Sequence, residues 1–160
     1  RLRDTPTPQE RRQLLDSYYR PHHLQLTACV KNILEHHKKA LVVDCHSFPS
    51  KPQPYEENQN AKRPDICIGT DDFHTPQWIS RFLVDAFESV GFSCEMNVPF
   101  SGALVPLDYF RKETSVSSVM IEANRGLYIE ESSGRKGAKF MEVQKAIRDV
   151  VSALIKRFKS

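Results

Sequence analysis

The chain has 160 residues, 39% of them hydrophobic and 27% charged. That composition suits a globular domain able to bury a core and excludes a disordered segment. A net charge of +3, scattered along the chain, does not make a nucleic-acid surface. No apolar run approaches the ~20 residues that a membrane-spanning helix needs, and the first residues do not resemble a signal peptide.

Cys29, Cys45, Cys67 and Cys94 are widely spaced and form no C-x-x-C pair. Their apolar surroundings predict buried reduced thiols in a cytoplasmic protein, not a disulfide framework or a zinc knuckle. Two basic clusters, Arg135-Lys136-Lys139 and Lys156-Arg157-Lys159, read as solvated helix faces. The sequence opens at Arg1 without a methionine and runs into a polar, Pro-punctuated lead, like the middle of a longer polypeptide.

In chain order, Thr7-Pro8-Gln9-Glu10 predicts a helix start, with Thr7 as N-cap, Pro8 at the first helical position and Glu10 completing a capping box. Leu14, Leu15, Tyr18 and Tyr19 continue it as an apolar stripe, and Pro21 is expected to kink or break it. A second helical pattern runs from His22 to about His37. Ala40 to Cys45 has the length and β-branched content of a buried parallel strand. Ser47 to Arg63 is a long loop without periodicity, a type of segment that is often functional.

Asp65 to Gly69 reads as a second strand. Thr75-Pro76 repeats the cap-plus-proline signature before a helix carrying Ile79, Phe82, Leu83, Phe87 and Val90, with Gly91 as its stop. Phe92–Asn97 and Ser118–Ala123 read as further strands, separated by a loop from Val98 to Glu113. The last helix is expected from about Lys136 to Phe158. Alternating strands and helices predict one α/β domain over residues 1–160, with a mostly parallel or mixed sheet flanked by helices. No repeat or linker divides it.

Polar residues at the carboxyl ends of strands are the candidates for chemistry, because open α/β sheets place ligand crevices there. Asp44 and His46 are two apart on a strand and face the same way. An imidazole beside a carboxylate suits a metal ligand with its orienting partner, or a general base; a strand end whose polar groups meet water is the alternative. Asp71-Asp72-Phe73-His74 reads mainly as a turn-and-cap device. Asn97-Val98-Pro99-Phe100-Ser101-Gly102 is a rigid turn in which Gly102 permits a positive dihedral or a close backbone approach.

Glu122 follows Val119-Met120-Ile121 directly, so it is a carboxyl carried on an apolar strand. Burial favours its protonated form and suits it to proton transfer near neutral pH; the bland alternative is a surface ion pair with Arg125. His36 and His37 suit a helix C-terminus, Trp78 reads as packing, and His23 is undecided on the residues alone. No Gly-rich phosphate loop, nucleophile elbow or zincin helix is present.

Taken in order, Leu14-Leu15-Asp16-Ser17-Tyr18-Tyr19-Arg20-Pro21-His22-His23, Asp44-Cys45-His46-Ser47-Phe48, Asp65-Ile66-Cys67-Ile68-Gly69-Thr70, Asn97-x-Pro99-Phe100-x-Gly102 and Ile121-Glu122-Ala123-Asn124-Arg125-Gly126-Leu127-Tyr128 resemble the N-formylglutamate amidohydrolase family. The resemblance implies a phosphorylase/hydrolase-like fold related to zinc carboxypeptidases and aspartoacylases. It implies hydrolysis of the amide of a small-molecule N-acyl amino acid such as N-formyl-L-glutamate, with no nucleic-acid or membrane partner.

By position, the same resemblance makes His46 a zinc ligand, with Asp44 and Ser47 supporting it. Glu122 becomes the general base and acid, and Arg125 the group that binds the substrate carboxylate. Asn97 and Gly102 shape the substrate pocket, and His23 is a further candidate, next to a His22 where the family has an aromatic. The His-containing turn that supplies the family's other zinc ligands has no counterpart here. The chain is therefore expected to be the C-terminal part of a longer catalytic domain whose N-terminal part is its partner. The alternative is a non-catalytic module binding an acidic amino acid.

Overall fold

The computed structural model describes residues 5–160. Thr7 caps the first helix as expected: its Oγ1 accepts the Glu10 N–H at 3.2 Å, and the Glu10 carboxylate accepts the Thr7 N–H at 2.8 Å. Helix α1 (Pro8–Leu14), a π-helical turn (Leu15–Tyr19) and α2 (Arg20–His37) then run on without interruption. Pro21 does not break this rod. The wide turn before it bonds the Arg20 N–H to the Leu15 carbonyl and places Pro21 in the first turn of α2. A missing N–H costs little at that position.

After Lys38, which turns the chain with φ 61°, β1 covers Ala40–Phe48 and outlasts the expected strand by three residues. It pairs in parallel along its full length with β4 (Val116–Asn124). Strand β2 (Ile66–Gly69) pairs antiparallel to β4 and parallel to the short β3 (Cys94–Met96). The sheet order is β1-β4-β2-β3. The architecture is thus α/β with a mixed sheet flanked by helices, and the direction reverses where β2 joins β4.

Strand alternation divides the core. On one face, Leu41, Val43, Ile66, Ile68, Val119, Ile121 and Ala123 pack against α3 (Gln77–Ser89) and α4 (Phe140–Lys159) through Ile79, Leu83, Phe87, Val150 and Leu154. Leu83 and Phe87 are fully buried, each contributing roughly 1.5–3 kcal/mol of apolar transfer. On the other face, Val30 and Leu34 of α2 meet Ala40, Val42, Val105 and Val116. Strand β1 is an edge strand, and a groove of about 660 Å³ runs along it between Ile33, Leu41, Val43, Ile155 and Phe158.

Several local expectations change. Thr75 does not cap α3, whose first residue is Gln77. Its hydroxyl donates to the Ser118 carbonyl at 2.6 Å and accepts the Asp71 N–H at 2.9 Å, so it ties the turn to β4 instead. Gly91 does follow α3, at φ 91°. Helix α4 begins at Phe140, because Arg135–Lys136 form a strand, β6, paired with β5 (Ile129–Glu130). Arg135 and Lys136 of that basic cluster therefore lie on a hairpin, and Lys139 is the N-cap of α4.

All four cysteines are free, but only Cys67 is buried; Cys29 and Cys45 are exposed on the outer side of α2 and on the edge strand. Burial pushes the partly buried Cys94 thiol up to about 12. Among the described residues, no helix is long and apolar enough to cross a membrane.

The loop after β1 is packed around one charge. The Arg63 side chain is 2% exposed and pairs with Glu56, itself 5% exposed. Arg63 also donates to the carbonyls of Pro49 at 3.2 Å and Asn58 at 3.3 Å and lies over the Phe48 ring. Removing one member of such a pair strands the other charge out of water. Glu56→Ala is expected to cost about 3–5 kcal/mol in urea unfolding, whereas replacement of the exposed neighbour Glu57 leaves the midpoint unchanged.

Candidate active site

The register of the sheet builds the site. His46 on β1 lies opposite Glu122 on β4, and Glu122 lies opposite Cys67 on β2. Paired residues in neighbouring strands point to the same face, so His46, Glu122 and Cys67 form one row across three strands. Asp44 precedes His46 on that face, and its Oδ1 is 2.8 Å from His46 Nε2. That contact orients the imidazole and leaves Nδ1 as its free nitrogen. Alternation puts Ser47 on the opposite face, away from His46.

Glu122 is 7% exposed, and its Oε2 is buried without a hydrogen-bond partner. Burial raises the carboxyl above its ordinary range; nearby His46 and Arg125 pull it down, and Asp44 pushes it further up. The expected alternative, a solvent-side ion pair with Arg125, is not formed. Arg125 opens a short 3-10 turn (Arg125–Leu127) directly after β4, and its Nε is likewise buried and unpartnered. A buried carboxyl oxygen and a buried guanidinium nitrogen, both unsatisfied and three residues apart, are groups that a ligand or water must serve.

Asn97 sits at φ 59° and spends its side chain on Thr70. Its Oδ1 accepts the Thr70 N–H at 2.9 Å, and its Nδ2 donates to Thr70 Oγ1 at 2.9 Å. It therefore fixes the base of the turn that leads to Gly102, which adopts φ 96°. His23 packs against Tyr19 with the rings tilted at 45° and their centroids 4.1 Å apart, and its Nδ1 is buried without a partner. The turn at Lys38 folds α2 back against β1 through Val30 and Leu34, and no hydrogen bond or ring contact joins His23 to His46, Glu122 or Arg125 among the described residues.

Two features escaped the sequence. His74 is buried: its Nδ1 donates to the Val116 carbonyl at 2.7 Å and its Nε2 accepts the Arg111 N–H at 2.8 Å, clasping the loop before β4. Asp71 plays the expected turn role, accepting the Phe73 and His74 N–H groups at 2.9 Å. Cys67 and Gly69 lie under the Asn97–Gly102 turn, and the alternation of large Ile66 and Ile68 with small Cys67 and Gly69 was the available signal.

The model of the N-formylglutamate amidohydrolase family matches residues 1–129. The chain belongs to this family. It is 27% identical over 130 residues to the N-formylglutamate deformylase of Pseudomonas putida, covering 79% of this chain and 47% of that protein. Its fold matches the crystal structure of N-formylglutamate amidohydrolase from Ralstonia eutropha JMP134 with a TM-score of 0.81 at 21% identity, over 98% of this chain and 55% of that one. A gene product of Agrobacterium tumefaciens matches with a TM-score of 0.61 at 17% identity, over 93% and 56%. The chain thus spans about half the length of the relatives it matches.

A catalytic zinc takes three protein ligands and an open position. His46, held by Asp44, has the form of one such ligand, but among the described residues no three His, Cys, Asp or Glu side chains are grouped to hold a metal ion. The residues present do not complete a zinc site by themselves.

Because the folded state holds Glu122 above its ordinary value of 4.5, folding favours its neutral form. That contribution is complete below the unfolded value and is lost as pH rises through the folded one. Glu122→Gln removes the dependence. In paired urea titrations the Gln variant is expected to gain on the wild type as pH rises above 4.5, and a constant difference from pH 4 to 8 would contradict the burial assignment.

Proposed function

We propose that this chain carries the proton-transfer and substrate-binding part of an amidohydrolase site that converts N-formyl-L-glutamate and water to formate and glutamate. The family supports amide hydrolysis of that substrate, and the buried Glu122 oxygen without a partner carries the assignment of the reacting group. Glu122 takes a proton from water as its oxygen adds to the formyl carbon. It returns the proton to the amide nitrogen as the carbon–nitrogen bond breaks, so no charge is left on the leaving amine. Its raised affinity for protons favours the half of that exchange in which it takes the proton from water.

Arg125 binds a carboxylate of the substrate through its planar fork. Asp44 holds the His46 ring. A zinc ion is part of this proposal through His46 only, with its further ligands from outside the described residues. After dialysis, the 160-residue chain is expected to hold less than one equivalent of zinc by elemental analysis, and His46→Ala to hold less again. Stoichiometric zinc that survives His46→Ala would remove His46 as a ligand.

The second reading is a module that binds an acidic amino acid without turning it over, favoured by the single imidazole. Formate release separates the two. In the form that hydrolyses N-formyl-L-glutamate, Glu122→Gln is expected to lower kcat by about 10²–10⁴-fold, and Arg125→Lys to raise KM about tenfold through loss of the bidentate contact. Wild-type rates in Glu122→Gln would rule out Glu122 as the proton carrier, and binding without any formate release would favour the module.

A further inference from the structure

The Asn97–Gly102 turn crosses the sheet above Glu122. On the β2 side, the Cys67 thiol donates to the Phe100 carbonyl at 3.1 Å. On the β1 side, the Phe100 ring meets Phe48 edge-on at 6.0 Å, two residues beyond His46. Strand β4, with Glu122, runs between these two anchor points. Glu122, between the two anchors, is 7% exposed.

The floor under that turn is made of residues too small to lift it. Cys67 is fully buried and directly opposite Glu122. Gly69 lies two residues on, on the same face, where a Cβ would stand 2.5 Å from the Gly102 carbonyl oxygen and collide with Met120. Space, and not backbone conformation, demands glycine there. Burial raises the Cys67 thiol, so it remains an S–H donor. With its proton given to Phe100, it offers none to the unpartnered Glu122 Oε2.

We propose that Cys67 and Gly69 are positioning residues that seat the Phe100–Gly102 turn over the Glu122 carboxyl and so set the substrate-facing wall of the site. The proposal rests on the amidohydrolase reading for the word substrate, but not for the seating itself. The thiol holds the turn by one hydrogen bond, glycine lets the backbone approach, and neither touches the reacting atoms. Cys67→Ser keeps a donor of similar size, Cys67→Ala loses it, and Gly69→Ala pushes the Gly102 carbonyl outward.

Two readouts on the 160-residue chain test this. Amide hydrogen exchange over residues 97–102 is expected to speed up about tenfold in Cys67→Ala and in Gly69→Ala and to return to the wild-type rate in Cys67→Ser, a tenfold change being one factor of ten in the opening equilibrium. The dissociation constant for N-formyl-L-glutamate, by calorimetry, is expected to rise in the same two variants and recover in Cys67→Ser. Unchanged exchange in Cys67→Ala overturns the seating role, whatever Gly69→Ala does to folding. Altered exchange with an unchanged dissociation constant overturns the wall. A wild-type chain that does not bind N-formyl-L-glutamate overturns the amidohydrolase reading, and the exchange rates then decide the seating alone.

Discussion

A carboxyl group carried into a strand that is buried from Val116 to Ala123 is the constraint on which the site depends. An isolated buried carboxylate costs several kcal/mol unless it is paired, hydrogen-bonded or protonated. Glu122 resolves this by holding its proton more tightly, with one oxygen left unsatisfied. Every neighbour of consequence bears on that group: His46 and Cys67 through strand register, Arg125 through the turn that follows, and Asp44 through the imidazole. The same burial that would weaken a purely structural protein raises the proton affinity of this carboxyl.

The remainder of the fold supports that arrangement. Helices α3 and α4 cover one face of the sheet with its largest apolar core, which fixes the register of β4 against β1 and β2. On the other face, α2 and the loop closed by His74 cover the amino-terminal half of β1 and β4 and leave the carboxyl ends of these two strands for the site. The Arg63–Glu56 pair packs the loop that follows β1 against Phe48. Ser50 continues that wall by bonding the Glu131 carboxylate and crowding Gly126, next to Arg125. This half of the family's length therefore brings together the acid, the cation and one imidazole, while the set of three ligands that zinc needs is not among its described residues.

Much of the arrangement was legible because it follows local periodicity. Asp44 and His46 share a face because strands alternate, and Glu122 stood out as a carboxyl directly after the apolar Val119-Met120-Ile121 run. Thr7 capped its helix because Glu10 stood at the right spacing. What was not legible depends on partners distant in sequence. Thr75 had the local chemistry of a cap, yet a carbonyl on β4 took its hydroxyl. Pro21 had the local chemistry of a breaker, yet a π turn absorbed it. Arg63 and Glu56 sit in an aperiodic loop in which no spacing rule identifies a buried pair. Cys67 was legible as a buried thiol and Gly69 as part of the Asp65–Thr70 motif, but the turn they meet is about 30 residues downstream in sequence, beyond the reach of any local pattern.

The titration of Glu122 itself tests the central claim most directly. Carbon-13 NMR of the glutamate side-chain carboxyls, assigned through Glu122→Gln and followed from pH 3 to 9, reads each protonation midpoint separately. Glu122 is predicted to titrate above the half-buried Glu113 and the exposed Glu130, both of which hydrogen bonds hold below the ordinary value, and to move further up in Arg125→Ala as a neighbouring positive charge is removed. A Glu122 midpoint at or below those of Glu113 and Glu130 would mean that the carboxyl is solvated, and the proton-carrying role assigned to it would fail.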